Sequence, residues 1–243
     1  MSRLSRIFCD KRLKAGAEIT LPESAARHAL RVLRLRQGNT LLLFNGDGHD
    51  YRATLVSVAR QAPRVRLESR GTPEAEPVLD LRLALGVSRG QRVDLALQKA
   101  TELGVTSLTP ILTERTVVRL DDARRHGRQA HWNQVVISAC EQSGRRRLPR
   151  VEPLRAFDEW LDEWRGTGIL LDPLETTSLP ELPPPREPLT LLVGPEGGLT
   201  PRERERAKLG GFRGVRLGPR ILRTETAPLA ALAAMQALWG DFR

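Results

Sequence analysis

Three short segments in the second half of the chain combine glycine with charged or polar side chains. The first, residues 194–200, reads Gly-Pro-Glu-Gly-Gly-Leu-Thr and follows the apolar run Leu189–Val193. Glycine lets the main chain approach a ligand closely, and proline stiffens the turn. The segment has neither the Lys-Ser/Thr pair of a P-loop nor the glycine spacing of a dinucleotide-binding loop. It therefore predicts either a tight strand-to-helix turn or a loop that binds a ligand through its backbone.

The second segment, residues 217–227, also follows a short apolar run and leads into a helix. It contains Arg220, Arg223 and Glu225 among apolar residues and threonines. A helix N-cap at Thr224 or Thr226 would account for the threonines and the glutamate. It would not account for the arginines, because positive charge near a helix N-terminus is unfavourable without an anionic partner.

The third segment, residues 140–147, ends a long predicted helix with Cys-Glu-Gln-Ser-Gly-Arg-Arg-Arg. Gly144 is typical of a helix C-cap, and cations at that end complement the helix dipole. The same arginines could also form a phosphate clamp. The sequence leaves both interpretations open.

A basic helix is predicted near the N-terminus, at about residues 23–35. Arg27, Arg31 and Arg34 have the spacing of one helical face, and His28 lies beside them. A solvated surface is the ordinary explanation of such a stripe. However, residues 1–72 contain 14 basic and 6 acidic residues, so they carry most of the net charge of +10. This asymmetry indicates a region that binds a polyanion.

The elements that must position these segments follow two patterns. Before residue 72, apolar runs and alternation at Thr40–Phe44, 51–58 and 65–68 predict a small β-barrel or sandwich with one helix. A linker rich in Pro and Gly follows. From residue 79 onward, apolar runs alternate with helical patterns, which predicts an α/β domain with a mostly parallel sheet. We therefore predict domains at residues 1–72 and 73–243, with the ligand beyond the carboxyl ends of the strands.

The composition excludes several classes of protein. The sequence has no apolar run long enough to span a membrane, and its two cysteines form no metal-ligand cluster. We therefore expect a cytoplasmic protein that contains no metal. Aromatic residues make up only 4% of the chain, so RNA recognition by extensive base stacking is not expected.

Taken together, these segments resemble the SPOUT superfamily of RNA methyltransferases, and most closely the bacterial 16S rRNA uracil-N3 methyltransferases. The resemblance covers nearly the whole chain, and the matching segments are residues 28–34, 88–90, 98–105, 139–145, 194–199 and 217–227. It implies a C-terminal SPOUT domain with a deep trefoil knot within about residues 167–239, S-adenosylmethionine bound in the knot, and a homodimer. It also implies an N-terminal PUA-like domain that binds 16S rRNA or the small ribosomal subunit.

Given this resemblance, the chemistry assigns roles to residues. Methylation at N3 of uracil requires loss of the N3 proton and stabilisation of charge on the flanking carbonyl oxygens. We expect Arg223 to stabilise the oxygens and Glu225, or alternatively Glu141, to accept the proton. The predicted cofactor-binding residues are Leu171, Val193, Gly194, Gly198, Leu217, Ile221, Leu222 and Thr224. The predicted RNA-binding residues are Arg6, Arg27, His28, Arg31, Arg34, Arg89, Arg145 and Arg146.

Two other functions stay open at this point. A non-catalytic RNA-binding ribosome-assembly factor could keep a SPOUT fold without using S-adenosylmethionine. An α/β enzyme acting on a nucleotide or another small phosphate compound could use the basic N-terminal region to attract its substrate. Titration with the cofactor tests the first alternative, and methyl transfer to ribosomal RNA tests the second.

Overall fold

The computed structural model describes residues 4–59, 62–116 and 122–242. The chain divides into two compact units, and the N-terminal one contains residues up to Glu76 together with Ile137–Leu148. The second unit contains Pro77–Val136 and the chain from Pro149 onward. The sequence did not predict that residues 137–148 group with the N-terminal unit, because their partners are remote: Arg6 and Cys140 are separated by 134 positions. Within the described ranges no helix is long and apolar enough to cross a membrane.

The N-terminal unit contains a five-stranded mixed sheet with the strand order β1-β3-β4-β5-β2. The strands are β1 (Arg6–Phe8), β2 (Glu18–Thr20), β3 (Thr40–Phe44), β4 (Tyr51–Ser57) and β5 (Arg64–Arg70). Strand β1 pairs in parallel with β3, and the other pairs are antiparallel. Tyr51, Ala53 and Leu55 are buried, which is the alternation that predicts a strand. The predicted β-domain is confirmed, although β1 and β2 are too short to be recognised by alternation.

The predicted N-terminal helix consists of two helical segments. Helix α1 spans Glu23–Arg27, and a π-helical segment, His28–Val32, follows it directly. Arg34 lies beyond both segments with a φ of 53°. The prediction that Arg27, Arg31 and Arg34 share one α-helical face is therefore wrong, because that spacing assumes about 3.6 residues per turn and a π-helix is wider.

The second unit contains a parallel sheet with the order β12-β10-β11-β6-β7-β8, and β9 pairs with β7. Its strands are β6 (Leu81–Gly86), β7 (Ser107–Leu112), β8 (Arg150–Val151), β9 (Arg155–Ala156), β10 (Thr167–Leu171), β11 (Leu189–Val193) and β12 (Phe212–Val215). The remaining helices are α2 (Arg92–Glu102), α3 (Asp122–Ser143), α4 (Phe157–Glu163), α5 (Pro201–Leu209) and α6 (Thr226–Trp239), with a short 3-10 turn at Leu179–Glu181. The C-terminal end of α3, from Ile137, belongs to the N-terminal unit. All strand pairs are parallel, which confirms the predicted α/β class.

Helix α5 begins where the local sequence predicts. Thr200 Oγ1 accepts a hydrogen bond from the Glu203 N–H at 3.2 Å, and the Glu203 carboxylate accepts one from the Thr200 N–H at 2.8 Å. Pro201 occupies the first helical position. These two hydrogen bonds form a capping box, which is typical of a threonine followed three residues later by a glutamate. Glu203 also accepts a hydrogen bond from the Glu114 N–H at 2.8 Å, so the same carboxylate holds the segment after β7.

Packing and strand pairing align β10, β11 and β12. Phe157, Trp160 and Leu161 of α4 and Ala207 of α5 share one core with residues of the sheet. Within the sheet, β10 pairs with β11 on one side and with β12 on the other. The loops that leave these strands therefore start at the same edge of the sheet. The deep trefoil knot stays a prediction.

Candidate cofactor site

A cavity of about 370 Å³ opens where the chain leaves β10, β11 and β12. This volume lies within the range of about 300–1,000 Å³ that is typical of small-molecule sites. The cavity is lined by residues 170–174, 193–199, 215–217 and 220–222, and by Arg115, Arg204, Thr224 and Ala227. Its position agrees with the prediction that a ligand binds beyond the carboxyl ends of parallel strands.

The structure brings all of the predicted cofactor-binding residues together around this cavity. They are Leu171, Val193, Gly194, Gly198, Leu217, Ile221, Leu222 and Thr224. Val193 is buried in the sheet, whereas Ile221 is 87% exposed. The wall therefore contains both fixed and accessible apolar groups, and contact with a cofactor stays a prediction.

The first wall, the loop at residues 194–199, is closed by its own backbone. The Gly198 N–H donates to the Pro195 carbonyl at 2.8 Å, and Gly198 has a φ of 67°. A Cβ on Gly194 would lie 2.9 Å from the backbone nitrogen of Leu199. A Cβ on Gly86, at the end of β6, would lie 2.5 Å from the Pro195 nitrogen. Glycine at these positions allows the loop to close and to pack against β6, a role for Gly86 that the sequence did not predict.

The second wall, the loop at residues 216–224, is joined to the first through Thr224. Its hydroxyl donates to the Gly194 carbonyl at 3.1 Å and lies 3.4 Å from the hydroxyl of buried Ser88. The N-cap of α6 is Glu225, whose side chain makes no capping hydrogen bond. The alternative that Thr224 or Thr226 caps this helix is therefore wrong.

Arginines are prominent at the cavity: Arg115, Arg204, Arg216 and Arg220 all line it. Arg115 Nη1 donates to the Gly197 carbonyl at 2.7 Å, and Arg204 Nε lies 3.2 Å from the Asp172 carboxylate. Asp172 is buried, so its charge requires such a partner. Asp172 was not predicted from the sequence, where its position directly after the strand β10 is the one available signal.

Glu196 connects the first wall to the start of α2. Its Oε1 accepts hydrogen bonds from the Arg89 N–H at 2.9 Å and from Arg92 Nη1 at 2.6 Å. Burial, the largest single influence, acts to raise the pKa of Glu196, but hydrogen bonds from the backbone and from Ser88 and Arg92 outweigh it and lower that pKa. Glu196 is therefore ionised at neutral pH and acts as an anionic anchor for α2.

Arg223 belongs to the second wall and Glu225 directly follows it, but neither side chain lines the cavity. They are neighbours in sequence of Leu222 and Thr224, which do line it. Arg223 is exposed, and Glu225 Oε2 lies 3.8 Å from Arg92 Nε. Their catalytic roles stay predictions.

The alternative proton acceptor, Glu141, belongs to the N-terminal unit. Its Oε1 accepts a hydrogen bond from the Phe8 N–H at 3.0 Å, and its Oε2 lies 3.3 Å from His28 Nδ1. Burial raises the pKa of Glu141, although the Phe8 hydrogen bond and the neighbouring His28 and Arg6 oppose this effect. These contacts give Glu141 a structural role, so we retain Glu225 as the candidate base.

Two of the predicted RNA-binding arginines are engaged inside the N-terminal unit. Arg6 Nη2 donates to Asp50 Oδ1 at 2.8 Å and Arg6 Nη1 donates to the Cys140 carbonyl at 2.6 Å, and its side chain is only 4% exposed. Arg146 Nε donates to Asp50 Oδ2 at 3.0 Å. A buried and fully engaged guanidinium cannot reach phosphate, so we withdraw Arg6 from the RNA-binding set.

The predicted RNA-binding residues other than Arg6 differ in exposure. Arg27, Arg31, Arg34 and Arg89 are exposed, whereas His28, Arg145 and Arg146 are half-buried. Arg27 donates to Glu23 at 3.0 Å along the helix surface. The exposed arginines are therefore the ones available to RNA, and their contacts with it stay predictions.

Family models match both parts of the chain. The model of an RNA methyltransferase domain matches residues 74–236. The model of an RNA methyltransferase PUA domain matches residues 21–68.

Full-length relatives agree with these matches. Ribosomal RNA small subunit methyltransferase E of Buchnera aphidicola (subspecies Schizaphis graminum) is 30% identical over 241 residues, which is 98% of each chain. The protein of the same name from Bacillus subtilis is 28% identical over 235 residues, covering 93% of this chain and 92% of that one.

Solved structures are similar over the same length. The crystal structure of ribosomal RNA small subunit methyltransferase E from Neisseria gonorrhoeae, bound to S-adenosyl methionine, matches with a TM-score of 0.92 and 39% identity, covering 99% of this chain and 100% of that one. A Legionella pneumophila protein solved with bound SAM matches with a TM-score of 0.95 and 34% identity over the same shares of the chains. The chain therefore belongs to the RNA methyltransferase family, in the group of ribosomal RNA small subunit methyltransferases E.

Proposed function

We propose that the chain methylates N3 of a uridine in 16S rRNA of the small ribosomal subunit, with S-adenosylmethionine as the methyl donor. The observation that carries this proposal is the cavity beyond β10, β11 and β12, where two loops and the ends of two strands assemble all of the predicted cofactor residues. An arginine and a glutamate follow in the same chain segment. The donor and the rRNA are those named for the relatives, and the N3 position rests on the chemistry of Arg223 and Glu225.

The cavity has the groups that S-adenosylmethionine needs. Leu171, Val193 and Leu217 provide apolar walls for adenine, and the backbone at Gly194 and Gly198 allows close approach to the ribose and methionine parts. When bound, S-adenosylmethionine supplies a methyl group activated by its sulfonium.

Glu225 and Arg223 supply the remaining chemistry. The N3 of uracil is protonated at neutral pH and becomes nucleophilic only when that proton leaves. The Glu225 carboxylate accepts the proton, and the Arg223 guanidinium stabilises the negative charge that spreads onto the two carbonyl oxygens.

The direct test uses small ribosomal subunits that lack the modification. They are incubated with the wild-type protein and S-adenosylmethionine carrying a labelled methyl group, and the digested nucleosides are identified by mass spectrometry. We expect labelled N3-methyluridine. Cofactor binding without methyl transfer would favour the ribosome-assembly factor, and a label on another atom or base would contradict the N3 assignment.

Two glutamine variants separate the candidate bases. Glu225→Gln should lower kcat by about 10²–10⁴-fold, the usual contribution of a general base, without changing the affinity for S-adenosylmethionine. Glu141→Gln is the matched control and should leave kcat unchanged while lowering stability, because it weakens the contacts with Phe8 and His28. A normal kcat for Glu225→Gln would remove it from this role.

RNA binding is proposed for the exposed arginines around the π-helical segment. RNA binding is measured at a series of salt concentrations. In the double variant Arg31→Ala with Arg34→Ala, the slope of log K against log salt concentration should become less steep by roughly 0.7–0.9 for each lost phosphate contact. The matched control replaces Arg64 and Arg66, two exposed arginines on β5 that pair with Glu18. An equal change of slope in both double variants would contradict a specific role for the segment.

A homodimer and a cytoplasmic site of action belong to the same proposal. Helix α6 contains no charged residue, yet Ala230 and Ala237 on it are exposed. A second copy packed on this helix would remove that apolar surface from water. Light scattering should give twice the mass of one chain, and Ala237→Glu should shift the protein toward a monomer. We infer a cytoplasmic site of action from the proposed substrate, the small ribosomal subunit.

A further inference from the structure

The start of helix α2 contacts both walls of the cavity. Ser88, in the segment between β6 and α2, lies 3.4 Å from the Thr224 hydroxyl. The Arg89 N–H and Arg92 Nη1 both donate to Glu196 Oε1. This segment therefore connects the first wall, through Glu196, with the second wall, through Thr224.

Arg92 contacts two carboxylates, one in the first wall and one directly after the second. Its Nη1 lies 2.6 Å from Glu196 Oε1, and its Nε lies 3.8 Å from Glu225 Oε2. The first contact is a charge-assisted hydrogen bond, whereas the second is an ion pair longer than a hydrogen bond. Glu196 therefore fixes the guanidinium, and the fixed guanidinium attracts Glu225.

The environment of Glu225 makes this attraction important. Its Oε2 is shielded from solvent, and no donor among the described residues forms a hydrogen bond with it. The side chain as a whole is 16% exposed, so the accessible surface belongs to its other atoms. An isolated carboxylate oxygen out of water is unfavourable, and a cation within 4 Å offsets much of that cost.

We propose that Arg92 is a positioning residue for Glu225, an inference that rests on the proposed role of Glu225 as proton acceptor. Arg92 holds Oε2 toward the protein, which leaves Oε1 to accept the proton from N3. Glu196 orients Arg92 in turn. The three side chains form an orienting series, Glu196 to Arg92 to Glu225, like the third group that orients a base in other active sites.

Kinetics of four variants test the proposal with small ribosomal subunits and saturating S-adenosylmethionine. Arg92→Gln removes the charge, Arg92→Lys keeps it, Glu225→Gln removes the acceptor, and the fourth variant combines Arg92→Gln with Glu225→Gln. Arg92→Gln should lower kcat at least tenfold, on the order of a displaced catalytic group, with Kd for S-adenosylmethionine within about twofold of wild type. Arg92→Lys should restore part of the rate, and it also serves if the glutamine variant folds poorly.

The combined variant separates positioning from a general structural effect. If Arg92 acts through Glu225, adding Arg92→Gln to Glu225→Gln should slow the reaction by no more than about twofold further. Arg202→Gln is the matched control, since Arg202 also bridges two carboxylates, Glu114 and Asp158, at 2.7 and 2.8 Å. This control should keep the wild-type kcat.

Distinct results would overturn the inference and the proposed function. If Glu225→Gln is slow but Arg92→Gln is normal, or if the two losses multiply, Arg92 does not position Glu225. If Arg92→Gln raises Kd for the cofactor and leaves kcat unchanged, Arg92 shapes the cavity instead. If Glu225→Gln keeps the wild-type rate, the base assignment fails together with this inference, and if the wild-type protein transfers no methyl group, the proposed function fails.

Discussion

The two walls of the cavity are built in different ways. The loop at residues 194–199 is closed by a backbone hydrogen bond, packs against Gly86 and leads into the capping box of α5. The loop at residues 216–224 has exposed residues at its centre and is held near its ends by two hydrogen bonds. The Arg216 N–H donates to the Thr177 carbonyl, and the Thr224 hydroxyl donates to the Gly194 carbonyl. The first wall is therefore held by its own backbone and by the sheet, while the second is held in part by its contact with the first.

This difference predicts that changes in the first wall affect folding and binding together, whereas changes at the centre of the second affect binding alone. The first wall packs closely against neighbouring backbone, so a shift of that wall would cost free energy of folding. The second exposes apolar side chains that a ligand could cover.

The largest effect is expected from Gly86→Ala. The added methyl group would lie 2.5 Å from backbone and ring atoms of Pro195, so the first wall must shift. We expect a loss of about 3 kcal/mol in the free energy of unfolding, the upper range for overpacking, and a similar loss in cofactor binding. Gly127→Ala is the control, because a Cβ there meets no atom within 4 Å. Urea unfolding and calorimetry measure the two effects, and a normal Gly86→Ala protein would refute a rigid first wall.

A smaller effect is expected from Thr224→Val, which removes the hydroxyl between the walls. The Gly194 carbonyl would lose its hydrogen bond, at a cost of about 1–2 kcal/mol or roughly tenfold in the Kd of S-adenosylmethionine. Thr224→Ser keeps the hydroxyl and should bind normally. Equal affinity of the valine and serine variants would show that the walls are positioned by other contacts.

Ile221→Ser should separate binding from stability. Because Ile221 is largely exposed, the free energy of unfolding should change by less than about 0.5 kcal/mol. If the cofactor covers this side chain, its Kd should rise by a few-fold, on the order of 1 kcal/mol of lost apolar contact. Leu209→Ser is the control, since Leu209 is also exposed but does not line the cavity. An unchanged Kd would leave Ile221 outside the binding surface.

The smallest effect concerns the acid sensitivity of the first wall. The pKa of Glu196 is lower in the folded chain than its ordinary value of 4.5, so its ionised form stabilises the fold above that pH. This contribution should decrease as the pH falls from 4.5 through the folded-state pKa. Glu196→Gln should therefore lose less stability than wild type over that interval, as measured by thermal unfolding at a series of pH values. Parallel curves for the two proteins would contradict the stabilising role of Glu196.

Local patterns in the sequence were sufficient for much of this architecture. Strand β11 and the start of α5 occur where the apolar run and the capping box predict them. The glycine-rich turn and the strand before it also indicated where the cavity would lie. These features depend on neighbours within a few residues, so their physical causes can be read in the sequence.

Other features depend on contacts between residues far apart in the chain. Arg6 has a side chain suited to binding phosphate, but its guanidinium donates hydrogen bonds to Asp50 and to the Cys140 carbonyl instead. Burial of Asp172 beside Arg204 and the clash that requires Gly86 also arise from packing of separate elements. Local patterns thus specified the longer strands, the cap of α5 and the glycine-rich turn. Long-range packing specified which charged groups are buried and which remain available, because burial depends on everything that packs around a side chain.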